Sequence, residues 1–284
     1  MKWISCLVWL GVALLISACG GEGVKAPSNA VTSAPNLTRT MTKRGFVRLA
    51  DDPRIAYESG AKAMALEVKR HLDKKAAIIE QRQYAAFSKP IYVYLLNSEN
   101  SAKRYCIVRL ARGCVVNQTL YVTSRAKDTL PSLLQHELSH LHFEQKLGML
   151  RYHSEVPAWF QEGLAVFVSD GAGAERTSFA DAIKGLRSDQ SITPNETRSL
   201  LFPKKAKQFG MRNSMFYAQS GLFVNYLYQQ NPKHFKRLVL EVAAGQGFAR
   251  TFERSYGVSL KRIWLTFKAE VMSNDLESLQ RYRL

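Results

Sequence analysis

Acidic residues are scarce in this sequence: 23 aspartates and glutamates stand against 40 lysines and arginines, a formal net charge of +17 over 284 residues. Such a balance invites nucleic-acid binding, but no nucleic-acid-binding motif accompanies it. Attraction to anionic lipid headgroups or to an acidic substrate fits better, as does a merely solvated basic surface. Cysteines are few as well, four in all, and only Cys106 and Cys114 lie beyond the first twenty residues. A zinc site built from two cysteine pairs is therefore excluded. The apolar run "ISCLVWLGVALL" near the start is too short to span a bilayer stably. No internal repeat is present.

That run follows Met1 and Lys2 and ends in "ISAC" at Ile16 to Cys19, with small residues placed as before a secretory cleavage site. "ISAC" resembles the lipobox of bacterial lipoproteins, which implies a signal peptide over residues 1–18 and a lipid on Cys19. Gly20, in place of an aspartate after that cysteine, is similar to Gram-negative lipoproteins of the outer rather than the inner membrane. The resemblance thus implies a periplasmic protein held to the membrane by its anchor. Residues 19–45, rich in Gly, Ser, Thr, Asn and Pro, read as a flexible tether. Residues 46–284 are long enough for one domain with a sizeable core. In an oxidising compartment Cys106 and Cys114, close in sequence, are expected to form a disulfide.

Within the domain, Ala61, Met64, Ala65, Val68, Leu72, Ala76 and Ile79 recur at three and four, which predicts an amphipathic helix from Tyr57 to about Gln83. "IYVYLL" after Pro90 and "GCVVNQTLYVTS" from Gly113 to Ser124 are β-rich. "TLPSLLQHELSHLHFEQKLG" reads as a helix with Thr129 as cap, Pro131 in its first turn and Gly148 past its end. "SEVPAWFQEGLAVFV" reads as another, begun near Ser154 and Pro157. From Asn213 to Met272 a string of helices is broken at "QNP", "AGQG" and "YGVS". The fold class expected is α+β: a small mixed sheet, two site-bearing helices, then a helical part.

His136 and His140 stand four apart in "HELSH", so on a helix both imidazoles lie on one face and can share an ion. Glu137 projects beside that face, where it can reach water at the metal. His142 points roughly 200° away from His140 and reads as a surface or packing residue. Glu144 continues the stripe but sits roughly 12 Å along the axis from His136, too far to close a site with bonds of about 2 Å. The third ligand must come from another element. Glu155 and Glu162 are the candidates; Glu155 suits a helix start, whereas Glu162, bordered by Trp159, Phe160, Leu164 and Ala165, is a carboxylate in apolar surroundings that needs a partner. Glu162 is preferred.

"HELSH", "PAWFQEGLA", "YAQSGLFVNYL" and "FERSYGVSLKRIW" together resemble the gluzincin metallopeptidases, specifically peptidase MA-like domains, over most of residues 50–275. Metzincins are disfavoured, since their longer motif asks for Gly and His where Phe143 and Lys146 stand. The resemblance implies a zincin-like fold with one zinc ion on His136, His140 and Glu162, and Glu137 as general base. It also implies an oxyanion donor, Tyr217 first and His153 second, although Tyr217 can equally serve as a core aromatic. Three protein ligands leave a position open, as catalytic zinc sites do, and the chemistry expected is amide hydrolysis. A protein or peptide substrate is expected to lie beside an exposed strand edge near Gln118 to Thr123. The competing function is a lipoprotein of envelope assembly that binds a partner without turnover; an intact Glu137 weighs against it.

If Cys19 carries the anchor, Cys19→Ala shifts the protein from the membrane fraction to a soluble or unprocessed form. Unchanged fractionation and processing would refute the lipoprotein reading.

Overall fold

Phe46–Leu49 (β1) and Asp52–Glu58 (β2) open the described part of the chain as an antiparallel pair. The computed structural model describes residues 45–106, 111–196 and 205–284; the expected signal peptide, Cys19 and the expected tether up to residue 44 lie outside the described residues. The amphipathic helix expected from Tyr57 begins only at Lys62 (α1, Lys62–Arg82). Tyr57 and Glu58 are instead paired with Val47 and Phe46, because strand hydrogen bonding outweighs helical spacing at that end. After α1 come Val93–Leu96 (β3), Glu99–Cys106 (α2), Gly113–Val116 (β4) and Thr119–Thr123 (β5).

The five strands form one mixed sheet in the order β1-β2-β3-β5-β4. β2, β3 and β5 run parallel, and β4 closes the far edge antiparallel to β5. Asn117 and Gln118, at φ of 50° and 59°, fold the "GCVVNQTLYVTS" run into a hairpin, since two left-handed residues make the tight turn that matches strand twist. This corrects the expected docking edge. β5 is bonded on both sides and β4 is the edge. Cys106, at the end of α2, and Cys114, on β4, form a disulfide with Cα atoms 5.7 Å apart.

Period-two alternation divides the sheet's side chains. Val93 and Leu95 of β3 join the main core with Val68, Leu72 and Ile79 of α1, while Tyr94 and Leu96 face a smaller cluster with Phe46, Ala56 and Cys106. Each fully buried aliphatic or aromatic side chain contributes about 1.5–3 kcal/mol, so the face under the helices carries most of the sheet's stability.

Among the described residues, eight α-helices follow the 3₁₀ segment Ser124–Thr129, beginning with Leu130–Leu147 (α3), Met149–Glu155 (α4) and Ala158–Val168 (α5). Ser154 and Glu155 end α4 instead of starting α5; Pro157, which cannot continue a helix from before it, occupies the N-cap of α5. Beyond Phe179–Leu186 (α6) lie Asn213–Gln230 (α7) and Pro232–Ala243 (α8), then Phe248–Tyr256 (α9) and Leu260–Ser273 (α10). The breaks fall at "QNP", "AGQG" and "YGVS". No helix among the described residues is long and apolar enough to cross a membrane.

α3, α5 and α7 are buried on nearly every face, which is why their apolar residues do not form a single stripe. α5 and α7 touch backbone to backbone at Gly163. A Cβ there would stand 2.6 Å from the Ser220 carbonyl oxygen and 2.8 Å from Val224 Cγ2.

Gly163→Ala is therefore expected to destabilise the domain by about 3 kcal/mol in denaturant unfolding, because backbone must move to admit the methyl. Gly247→Ala, with nothing within 4 Å of its Cβ, should change stability by less than about 1 kcal/mol. Equal effects at the two positions would contradict the close-contact explanation.

Candidate metal centre

The α3 axis sets the first two ligands. His136 and His140 sit one turn apart, and their Nε2 atoms lie 3.2 Å from each other. α5 brings the third: Glu162 Oε2 is 3.5 Å from His136 Nε2 and 3.4 Å from His140 Nε2. Bonds of about 2.0–2.1 Å at tetrahedral angles place neighbouring donors roughly 3.3–3.4 Å apart. The three atoms form a triangle of that size. These are the residues that, among those described, form a group able to hold a metal ion.

Each histidine is aimed by its other nitrogen. His136 Nδ1–H donates to the Ala172 carbonyl at 2.9 Å, and His140 Nδ1–H donates to the Tyr152 hydroxyl at 2.8 Å. Both Nε2 lone pairs then point inward, an arrangement that fixes ring orientation at metal sites. Tyr152 is itself placed by α4, whose end is tied to α5 through Gln161 Nε2, donating to the Tyr152 and Val156 carbonyls at 2.9 and 2.7 Å. The loop after α5 completes the support: at Gly173 it lies against both His136 and Tyr217.

Glu162 Oε2 is buried and receives no hydrogen bond. Its short distances to the histidines are not hydrogen bonds when Nδ1 carries each imidazole's proton, so three electron-rich atoms face one another. An unsatisfied buried carboxylate is costly, and a cation is the group that satisfies all three. Without a cation, burial pushes Glu162 towards the neutral form, but the charge of and hydrogen bonds from proton-bearing imidazoles reverse this and hold it well below the usual carboxylate range, so a proton there takes the place of the metal. Burial lowers the basicity of His140, and the Glu162 carboxylate outweighs that effect and raises it.

Glu137, buried beside the triangle, is not one of the three donors. Burial lifts its carboxyl above the ordinary value, opposed by His136 and His140. The edge strand passes over it closely enough that a Cβ on Gly113 would lie 2.9 Å from Glu137 Cγ. Tyr217 reaches the same space from α7, its ring 5.9 Å from that of His136. The Glu162 carboxylate, then burial and Glu137, keep its hydroxyl protonated far above pH 10.

The remaining candidates fall outside. Glu155 is only partly buried and is held by Arg151 at 2.8 and 2.9 Å. Glu144 is fully buried, but its Oε1 accepts the Gln118 N–H at 2.5 Å and so pins the β4–β5 turn. His153 Nε2 lies 3.9 Å from Glu144 Oε2, away from the donor triangle. His142 packs on Phe87 and donates from Nε2 to the Ala85 carbonyl at 2.7 Å; burial lowers its pKa to about 4. Ala172, Tyr152 and Arg112, the last paired with Glu175 at 3.2 Å near Glu137, were not singled out from sequence. Only the turn-forming "DGAG" around Ala172 offers any signal for them.

The domain is expected to bind zinc, as read by metal analysis after dialysis. His136→Ala or Glu162→Ala should remove most of it, while Glu155→Ala and Glu144→Gln retain it. Zinc held by Glu162→Ala would take that residue off the ligand list. No family model, curated protein or solved structure matches this chain.

Proposed function

We propose that the protein is a zinc-dependent peptidase of gluzincin type, anchored through a lipid on Cys19 to the outer membrane and facing the periplasm. The observation that carries the reading is the pairing of a three-donor triangle, two imidazoles and a carboxylate, with a separate buried carboxylate, Glu137, beside it. A structural site would use its fourth ligand from the protein; a catalytic one leaves it open. The order of mixed sheet, His-bearing helix and Glu-bearing helix supports a zincin-like arrangement.

His136, His140 and Glu162 would hold one zinc ion. When bound, it supplies a Lewis acid that polarises a carbonyl and acidifies water to a pKa of about 7. Glu137 accepts a proton from the attacking water as its oxygen bonds to the carbonyl carbon. It then returns that proton to the amine nitrogen as the C–N bond breaks. The same carboxyl serves both halves of the task, an acceptor when ionised and a donor once protonated. Tyr217, neutral throughout, donates its hydroxyl hydrogen to the developing oxyanion. β4 offers the backbone groups of a sheet edge to an extended peptide, and its contact with Glu137 at Gly113 sets that peptide next to the base. The disulfide to α2 anchors this strand.

Glu137→Gln should keep the fold and the zinc but lose at least about 10²-fold of peptidase activity on a mixed peptide pool. Tyr217→Phe should cost less, at most about 3 kcal/mol in barrier height. If cells carrying Glu137→Gln behave as wild type while His136→Ala cells behave as a deletion, a partner-binding role without turnover replaces the peptidase reading.

A further inference from the structure

The surplus of 17 positive charges has no part in the hydrolytic steps, whose groups are neutral or acidic. One helix combines part of that charge with exposed apolar surface. α10 (Leu260–Ser273) packs on the core through Leu260, Ile263, Trp264, Phe267 and Val271. On its other side Lys261, Arg262, Leu265, Ala269 and Met272 are exposed. At about 100° per residue these side chains leave the helix within roughly 100° of arc. The two cations stand in the first turn, and Met272 lies about 16 Å along the axis from Lys261.

Leu265 and Met272 are 57% and 58% exposed. Single exposed leucines are ordinary on a protein surface, but of the six large hydrophobics exposed among the described residues these two alone share a helix. Leu276, past the helix end, stands between Asp275 and Glu277 and is outside the face.

The remaining charges of α10 are engaged elsewhere. Lys268 turns inward, where its Nζ donates to the Leu186 carbonyl and, at 3.2 Å, to Ser191 Oγ. Glu270, the one acid on the helix, is paired with Arg281 and accepts the Tyr282 hydroxyl at 2.7 Å. The exposed charges of α10 are therefore Lys261 and Arg262, both positive. An apolar stripe with cations at one end suits the boundary between phospholipid headgroups and acyl chains, where cations are drawn to anionic lipid and aliphatic side chains leave water.

A protein partner fits this face less well. A stable protein interface takes about 800 Å² and roughly 20–30 residues on each side, more than one helix face supplies. A bilayer sets no such minimum, because an anchor that already holds the chain at the surface lets a few inserted side chains suffice.

We propose that α10 is the face on which the anchored domain lies against an anionic phospholipid surface, with Lys261 and Arg262 at the phosphates and Leu265 and Met272 between the headgroups. The proposal rests on the membrane location in the functional reading and is independent of peptide hydrolysis.

Vesicle flotation tests it with the mature chain from Gly20 onward, made without the lipid, so the result does not depend on Cys19. The vesicles are phosphatidylcholine alone or phosphatidylcholine mixed with phosphatidylglycerol. The chain should float with the mixed vesicles, less so as salt is added, and not with phosphatidylcholine alone. Lys261→Glu with Arg262→Glu should lower partitioning at least about tenfold, and Leu265→Glu with Met272→Glu should do the same. Lys62→Glu with Lys233→Glu makes an equal change of charge on α1 and α8 and should stay within about twofold of wild type, since distant charges are screened. An equal loss in that distant pair would assign the binding to diffuse charge and overturn the role of α10, as would wild type that floats with neither vesicle. Dimers in sedimentation that disappear in Leu265→Glu with Met272→Glu would overturn it too, giving the face to a second copy of the chain. None of these outcomes bears on zinc binding or on Cys19, which have their own tests.

Discussion

Three electron-rich atoms, two imidazole nitrogens and a carboxylate oxygen, are held within 3.5 Å of one another in a largely buried space. Left alone, such a group repels itself and forgoes hydration, so the surrounding structure has to hold it in place. Much of the helical half can be understood as that support. The Ala172 carbonyl and the Tyr152 hydroxyl orient the rings, Gln161 locks α4 to α5, and Gly163 lets α5 lie directly on α7. A cation that neutralises the triangle would return this stored cost as binding free energy.

The sheet half supplies a different element, the edge. β4 passes over Glu137 at Gly113, is cross-linked to α2 by the disulfide, and has its turn pinned by Glu144 through the Gln118 N–H. Glu144 thus has a structural role even though it extends the histidine stripe: it lies too far along α3 to share the ion and instead fixes the hairpin beside it. The two halves meet where Arg112, just before β4, pairs with Glu175 on the loop after α5.

Much of this was legible before any coordinates. The 3.6-residue spacing located α1 and α3, the punctuation at "QNP", "AGQG" and "YGVS" located the last helix boundaries, and His136, His140 and Glu162 followed from helix geometry and the cost of a buried carboxylate. What escaped depends on long-range pairing. β1 and β2 are short, interrupted by Pro53, and become strands only because each completes the other's hydrogen bonds. The edge position of β4 depends on β3 pairing with β5 across an intervening helix, which no local pattern encodes. The partners of the histidines escaped for the same reason: a backbone carbonyl has no sequence signature, and Tyr152 looks like any other aromatic until α4 turns back on α3.

The central claim is that His136, His140 and Glu162 hold a single ion and leave one position open. Anomalous diffraction at the zinc absorption edge, on crystals of the zinc-loaded protein, addresses it directly. The account predicts one anomalous peak about 2.0–2.2 Å from the Nε2 atoms of His136 and His140 and from a Glu162 carboxylate oxygen, with no fourth protein ligand. A peak bound by four protein atoms, or zinc located anywhere but on this triangle, would contradict it.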